Sequence, residues 1–456
     1  MSTLLYGITA IGEFLYPYCF NSETEKITVY TGINSTKIPG ETNSIIGQRL
    51  GMLAGGFTFY KLNAPISNDV PADQVRFLDF LIEDYHENSK YTEMRFRFPE
   101  LDYFMPSGMM AADEEKQFVF SKAIDTICNF EIQFCSSSIS ISFNIKSEMN
   151  KSFKSVAQTI SELSIKFPET DNMDYILDLY SSVRAFFVFI CNRQNIGLRS
   201  AALIGKYPRK TIRDNKVIDT VSFSKQELVL SQKYLEPLEE ENIITKTPEI
   251  GLFSPRFKEL FQMFFKEKAG DDVVVDGSSI HLSNKYKNLI DLNQSLHITA
   301  TFEYYVRTLL PEISSQNTID FYKDIENLID EYIEKVTGPK KKRAKDLKKL
   351  LKPQLSLRDK IIKAYNGYSK NGCPSWEPLK PILSEWFGKN IEELAQVANS
   401  WRNELAHEKR EYEPDKSVIA AIRLIEHINY CIVLRFAGYD DKQIKAILSE
   451  ILAKPI

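Results

Sequence analysis

Little in this sequence points to covalent, metallic or membrane support. Six cysteines (Cys19, Cys128, Cys135, Cys191, Cys373, Cys431) are spread over 456 residues, and no two form a C-x-x-C pair. That sparseness excludes a disulfide framework and fits a reducing cytoplasm. The five histidines (His86, His281, His297, His407, His427) are scattered, with no H-E-x-x-H or H-x-H arrangement. No resident metal and no cofactor is expected. There is no G-x-S-x-G. The nearest approach to a phosphate loop, Gly197 to Lys206, has its glycines too far apart and Tyr207 where Ser or Thr is needed. The most apolar run, Ala185 to Cys191, is far shorter than the roughly 20 residues that cross a bilayer. Residues 1–20 lack a basic segment and carry Glu13, so neither a signal peptide nor a membrane partner is expected.

Net charge is also lacking: 57 Lys+Arg stand against 61 Asp+Glu, a formal −4. With 43% apolar and 26% charged residues the composition is that of a folded protein, not a disordered or fibrous one. The total conceals an asymmetry. Residues 281–456 hold 28 basic and 24 acidic side chains, a net of +4, which leaves −8 for residues 1–280. A basic back half is where a polyanionic partner would bind.

Residues 1–170 read as β-rich. Lys26 to Tyr30, Phe57 to Leu62 and Thr92 to Phe98 are aromatic and β-branched runs. Ser138 to Lys146 alternates strictly, with Ile139, Ile141, Phe143 and Ile145 on one side, and Leu163, Ile165 and Phe167 repeat the pattern. Period two predicts strands buried on one face, hence an antiparallel sheet or sandwich. Residues 171–287 read as a mixed connector. It has a buried helix over 174–192, a Phe-rich amphipathic helix over 256–269 and a turn–strand–turn at 270–279. From 288 to 456 apolar residues recur at helical spacing over 288–311, 318–336, 341–352, 355–366, 378–387, 390–409, 415–436 and 440–452. Proline and glycine mark the breaks, and Asn390/Glu393 and Asp440/Gln443 have capping-box spacing. The expected fold class is α+β: a β-rich N-terminal domain, then an all-α bundle.

One constellation carries chemistry. Residues 401–407 read Trp-Arg-Asn-Glu-Leu-Ala-His. With Leu394, Val397, Ala398, Trp401 and Leu405 as the apolar stripe of the helix, Arg402 falls about 80° from the stripe's centre. Asn403 and His407 form an i,i+4 pair on the opposite face. An imidazole that titrates near neutrality, a permanent cation and an amide suit phosphodiester cleavage. A lone helical histidine is more often a surface or core residue, and R-x4-H alone is a weak pattern. The second feature is a basic run. Residues 340–363 hold eleven basic side chains against Asp346 and Asp359. Lys340, Lys341, Lys342, Arg343, Lys345, Lys348, Lys349 and Lys352 are its candidate RNA contacts through counterion release, the bland alternative being a solvated helix face. His427 and the Phe186, Phe187, Phe189 cluster read as core.

A C-terminal helical bundle with Arg-Asn-x-x-x-His near the end of a late helix resembles the HEPN superfamily, whose R-x4-6-H motif Arg402, Asn403 and His407 match. The β-rich front half, followed by Leu296-His297-x-Thr-x-Thr-Phe-Glu-Tyr-Tyr-Val-Arg in the first bundle helix, looks like the Apea-like HEPN proteins of prokaryotic antiviral defence. The resemblance implies a metal-independent endoribonuclease acting in anti-phage, abortive-infection defence, with tRNA a plausible target. It implies a homodimer whose bundles bring two Arg/His pairs to one cleft, and a front domain that senses a phage-derived trigger. Carried over, His407 would be the general acid/base, Arg402 would hold the scissile phosphate, and Asn403 would orient either. The competing expectation is a non-catalytic HEPN-like dimerisation or binding protein.

Overall fold

The computed structural model describes residues 4–31, 42–50, 56–66, 73–105, 111–113, 116–119, 124–148, 158–213, 216–231, 247–265, 292–309, 316–350, 355–370, 373–388, 390–406 and 415–452. The fold is α+β: an antiparallel β region followed by helices. It divides into two compact units, residues 1–184 with 195–251, and residues 185–194 with 252–456. Residues 171–287, expected as a mixed connector packed on the β-rich domain, are divided between the two units. Their two long strands complete the sheet of the first unit, and the residues around Phe257 join the helices. The expected turn–strand–turn at 270–279 lies outside the described residues.

The first unit is built on β1 (Leu4–Ile11), β2 (Phe14–Asn21), β3 (Lys26–Tyr30), β4 (Thr42–Arg49), β5 (Phe57–Ile66), β6 (Asp73–Glu83) and β7 (Lys90–Phe96). The chain continues through α1 (Pro99–Phe104), a small hairpin of β8 (Ala111–Asp113) and β9 (Lys116–Val119), then β10 (Ile124–Phe134), β11 (Ser137–Glu148) and β12 (Gln158–Thr170). After α2 (Met173–Ile190) come β13 (Ser200–Arg213) and β14 (Lys216–Leu230). Twelve strands form one sheet in the order β10-β11-β12-β7-β13-β14-β6-β3-β2-β1-β4-β5. β5 also pairs back onto β6, from Phe59↔Ile82 to Leu62↔Leu78. Six strands therefore close into a barrel, and the other six continue from its seam as an open sheet. Neither half is a sandwich.

Inward alternation explains both halves. Tyr18, Phe20, Ile27, Val29 and Tyr60 fill the barrel. The Tyr18 hydroxyl lies 3.2 Å from that of Tyr60, which provides a partner for a polar group that burial would otherwise leave unpaired. In the open half, Ile139, Ile141, Phe143, Ile145, Leu163, Ile165 and Phe167 are all buried, as the period-two pattern requires, and α1 packs on β12.

The second unit contains the last turns of α2, then α3 (Phe257–Met263), α4 (Leu292–Leu309), α5 (Gln316–Lys335), α6 (Pro339–Leu350), α7 (Leu357–Asn366), α8 (Lys380–Phe387), α9 (Ile391–Ala406), α10 (Lys416–Phe436) and α11 (Asp441–Ile451). A short hairpin, β15 (Tyr368–Lys370) with β16 (Cys373–Trp376), joins α7 to α8. Each helix from α4 onward lies within a few residues of a segment read from periodicity. Asp440 and Gln443 form the expected capping box. At Asn390 the structure shows the backbone bond from the Leu394 N–H to the Asn390 carbonyl, 3.0 Å. Gly367 turns with φ +80°, and a Cβ there would sit 2.9 Å from the Pro378 nitrogen. By length and composition α10 could cross a membrane, but 72% of its apolar window is buried in the fold. It is the bundle's central helix, packed by α4, α7, α9 and α11.

A close contact inside the barrel gives a test. A Cβ on Gly47 of β4 would stand 2.6 Å from the Tyr18 ring. Gly47→Ala should destabilise the barrel by about 1–3 kcal/mol. Adding Tyr18→Ala should cost less than the sum of the two single changes, as read by urea unfolding.

Candidate functional site

Helix α9 carries the motif. Its buried positions are Ile391, Ala395, Ala398 and Trp401, while Leu394, Val397 and Leu405 are only half-buried. The packed face is therefore rotated from the one that apolarity alone suggests. Around the true face Arg402 lies about 30° from the centre and Asn403 about 130°. Arg402 is not at the stripe's edge, as expected from sequence, but over the helix contact. Asn403 is exposed, as expected. His407 lies outside the described residues.

What holds Arg402 there is Glu303 of α4. Arg402 Nη2 donates to Glu303 Oε2 at 3.3 Å, and Lys360 Nζ of α7 donates to Glu303 Oε1 at 2.7 Å. One carboxylate thus links two cations from α7 and α9, a cluster with a surplus positive charge. The Arg402 side chain remains 43% exposed, against 26% for Glu303 and 20% for Lys360. Among the described residues Glu303 is the one carboxylate within ion-pair reach of Arg402. The remaining guanidinium N–H donors can therefore meet an oxyanion. At this partial exposure the ion pairs orient the side chain more than they stabilise the fold.

Glu303 and Lys360 are the residues that reasoning from sequence missed as a pair. Glu303 stood inside the quoted first-helix motif and Lys360 inside the basic run. No local pattern joins Glu303 to Arg402, 99 positions away, or to Lys360, 57 positions away.

The lysine-rich run separates into two places. Lys360 sits beside Arg402, whereas Lys340, Lys341, Lys342, Arg343, Lys345 and Lys348 lie on α6. Lys340, Lys342, Arg343 and Lys345 are exposed, and Lys341 and Lys348 are partly covered. The side chain of Lys349, and Lys352 altogether, lie outside the described residues. Helix α6 packs on α5, which carries six acidic residues against two basic. Lys348 is already ion-paired with Asp330. Part of the positive surplus is neutralised in place, and the cations free to face solvent are those of the first α6 turns.

His427 belongs to the core. It is 3% exposed, its ring meets Phe387 edge-on at 5.0 Å, and its Nδ1–H donates to the Arg423 carbonyl at 2.7 Å. Burial pushes its pKa down to about 4. The hydrogen bond to the Arg423 carbonyl opposes that shift, and the Arg423 charge adds to it.

Comparison of the chain with family models, curated proteins and solved structures returns no match. The functional reading therefore rests on the residues themselves.

The buried imidazole predicts a pH effect. With a folded pKa of about 4 and an ordinary value near 6.5, only the unfolded chain takes up the proton between those limits. Stability should fall as pH drops from 6.5 towards 4, by about 3 kcal/mol in total from this group. His427→Leu should lose that component. Urea unfolding at pH 7, 6 and 5, followed by the fluorescence of Trp376, Trp386 and Trp401, compares the two slopes.

Proposed function

We propose that this chain is a metal-independent endoribonuclease of the HEPN type, acting in the cytoplasm in anti-phage, abortive-infection defence. The observation that carries the reading is Arg402: a half-exposed guanidinium held by Glu303 beside Lys360, with Asn403 exposed next to it and His407 five residues on in the sequence. The expected chemistry is attack of an RNA 2′-hydroxyl on the adjacent phosphorus, with departure of the 5′-oxygen. It leaves a 2′,3′-cyclic phosphate and a 5′-hydroxyl. His407 moves the proton, Arg402 stabilises the charge that builds on the phosphoryl oxygens, and Asn403 orients either partner. Glu303 acts through Arg402 by fixing its direction. The exposed lysines of α6 supply non-specific attraction for RNA.

A homodimer through the bundle is supported by α5. Phe321, Leu328 and Tyr332 are 60%, 64% and 49% exposed, and their spacing puts them within about 40° on one helix face. A two-fold pairing of that face would cover the same patch on both copies. The first unit, acidic overall, is the candidate sensor of a phage-derived trigger.

One observation favours a second reading, a non-catalytic HEPN-like dimerisation or binding protein. Glu303 already occupies part of Arg402, and a phosphate would have to share that cation.

Purified chain in EDTA should cut a tRNA pool. His407→Ala and Arg402→Ala should each lower the rate at least about 100-fold, while Glu303→Gln should lower it less. Wild type and His407→Ala behaving alike in a gel assay would favour the binding protein. Leu328→Glu should convert the dimer to a monomer by light scattering. Cleavage should fall with it if the cleft needs both copies.

A further inference from the structure

We propose that the projecting end of the β13–β14 hairpin is a second nucleic-acid site, a ribbon that enters the major groove of duplex DNA. The hairpin is paired from Ser200↔Val229 to Arg213↔Lys216. Its neighbours stop early: β7 reaches Lys206, and β6 reaches Glu227. Beyond them, the pairs from Tyr207↔Ser222 to Arg213↔Lys216 have no third strand among the described pairings. Seven such pairs make a two-stranded ribbon about 23 Å long.

This ribbon has no buried face. One side presents Lys206, Pro208 and Lys210 opposite Phe223, Val221 and Asp219, all exposed. On the other side Arg209 and Ile218 are exposed and Tyr207, Thr211, Thr220 and Ser222 are half-buried. Phe223, Val221 and Val217 are 79%, 67% and 66% exposed. Isolated two-stranded hairpins are marginal in water, and a cluster of exposed apolar residues marks a contact surface.

The charge says what kind of partner fits. Residues 206–225 hold six basic residues (Lys206, Arg209, Lys210, Arg213, Lys216, Lys225) against Asp214 and Asp219. That is +4 within the chain's acidic front half. Lys206, Arg209, Lys210 and Lys225 have no carboxylate at ion-pair distance among the described residues. The Lys206 ammonium instead lies 5.6 Å from the Phe223 ring centroid. At the root, Tyr207 stacks on His86 with ring centroids 3.8 Å apart and 8° between planes, which holds the ribbon's direction.

A two-stranded ribbon fits the major groove of B-form DNA, about 12 Å wide. The deep, narrow groove of A-form RNA does not admit one. Flanking lysines and arginines would meet phosphates, and Val217, Val221 and Phe223 would meet thymine methyls in the groove. This site is independent of Arg402 and His407, so neither proposal depends on the other.

The test is fluorescence anisotropy of the full chain with a labelled 25-base-pair DNA duplex, titrated between 50 and 200 mM salt. The triple variant Lys206→Glu, Arg209→Glu, Lys210→Glu should weaken binding about 100-fold and reduce the log–log salt slope by about 2–3. Phe223→Ala should weaken binding with the slope unchanged. Lys340→Glu, Lys341→Glu, Lys342→Glu, which lowers only the non-specific attraction of α6, should weaken duplex binding less than the ribbon variant does. Should the charge-reversed chain melt lower than wild type, the triple Gln variant serves in its place. Three results overturn the proposal: no duplex binding by wild type at 50 mM salt, the same affinity and slope in the triple variant, or an RNA duplex of the same sequence bound as tightly.

Discussion

The second unit is organised by the need to surround α10. From Ala421 to Leu434 every residue except Arg423 is buried, so the helix has no solvent face and other helices must cover it on all sides. Helices α4, α7, α9 and α11 do so. Its polar residues are tied in place: Asn429 donates to the Ile298 carbonyl at 3.1 Å, and Tyr430 donates to the Phe189 carbonyl at 2.8 Å. Packing α9 on α10 and α7 buries Ile391, Ala395, Ala398 and Trp401. With that face buried, Arg402 emerges over α4, where Glu303 meets it.

The candidate site is therefore a consequence of packing. Glu303, shared with Lys360, orients the half-exposed guanidinium while leaving donors free. The same carboxylate that orders the cation also competes for it. That tension separates the catalytic reading from the binding reading and makes Glu303 informative in either case.

Local signals carried well through the bundle. Gly367 and Gly438 follow the ends of α7 and α10 within two residues, and Asp440 with Gln443 starts α11 by hydrogen bonds three residues apart. Each is visible in a short window. Strands such as Ser137–Glu148 were equally legible, because one buried face imposes alternation. The β13–β14 hairpin was not: its outer half buries neither face, so no period appears in Tyr207 to Ser222. Barrel closure through β5 and β6 leaves no sequence trace beyond alternation, since the pairing partner is chosen by the whole sheet. For Arg402 the motif was readable but its placement was misjudged. Val397 and Leu405 are apolar yet half-exposed, Ala395 is small yet buried, and the partner carboxylate lies on another helix.

The chemistry of the cut ends tests the account most directly. Wild-type chain incubated with tRNA in EDTA should yield fragments whose 3′ ends are 2′,3′-cyclic phosphates and whose 5′ ends are hydroxyls, absent when Arg402→Ala or His407→Ala replaces it. Intact RNA with wild type, or fragments with 5′-phosphates that persist in both variants, would contradict the account.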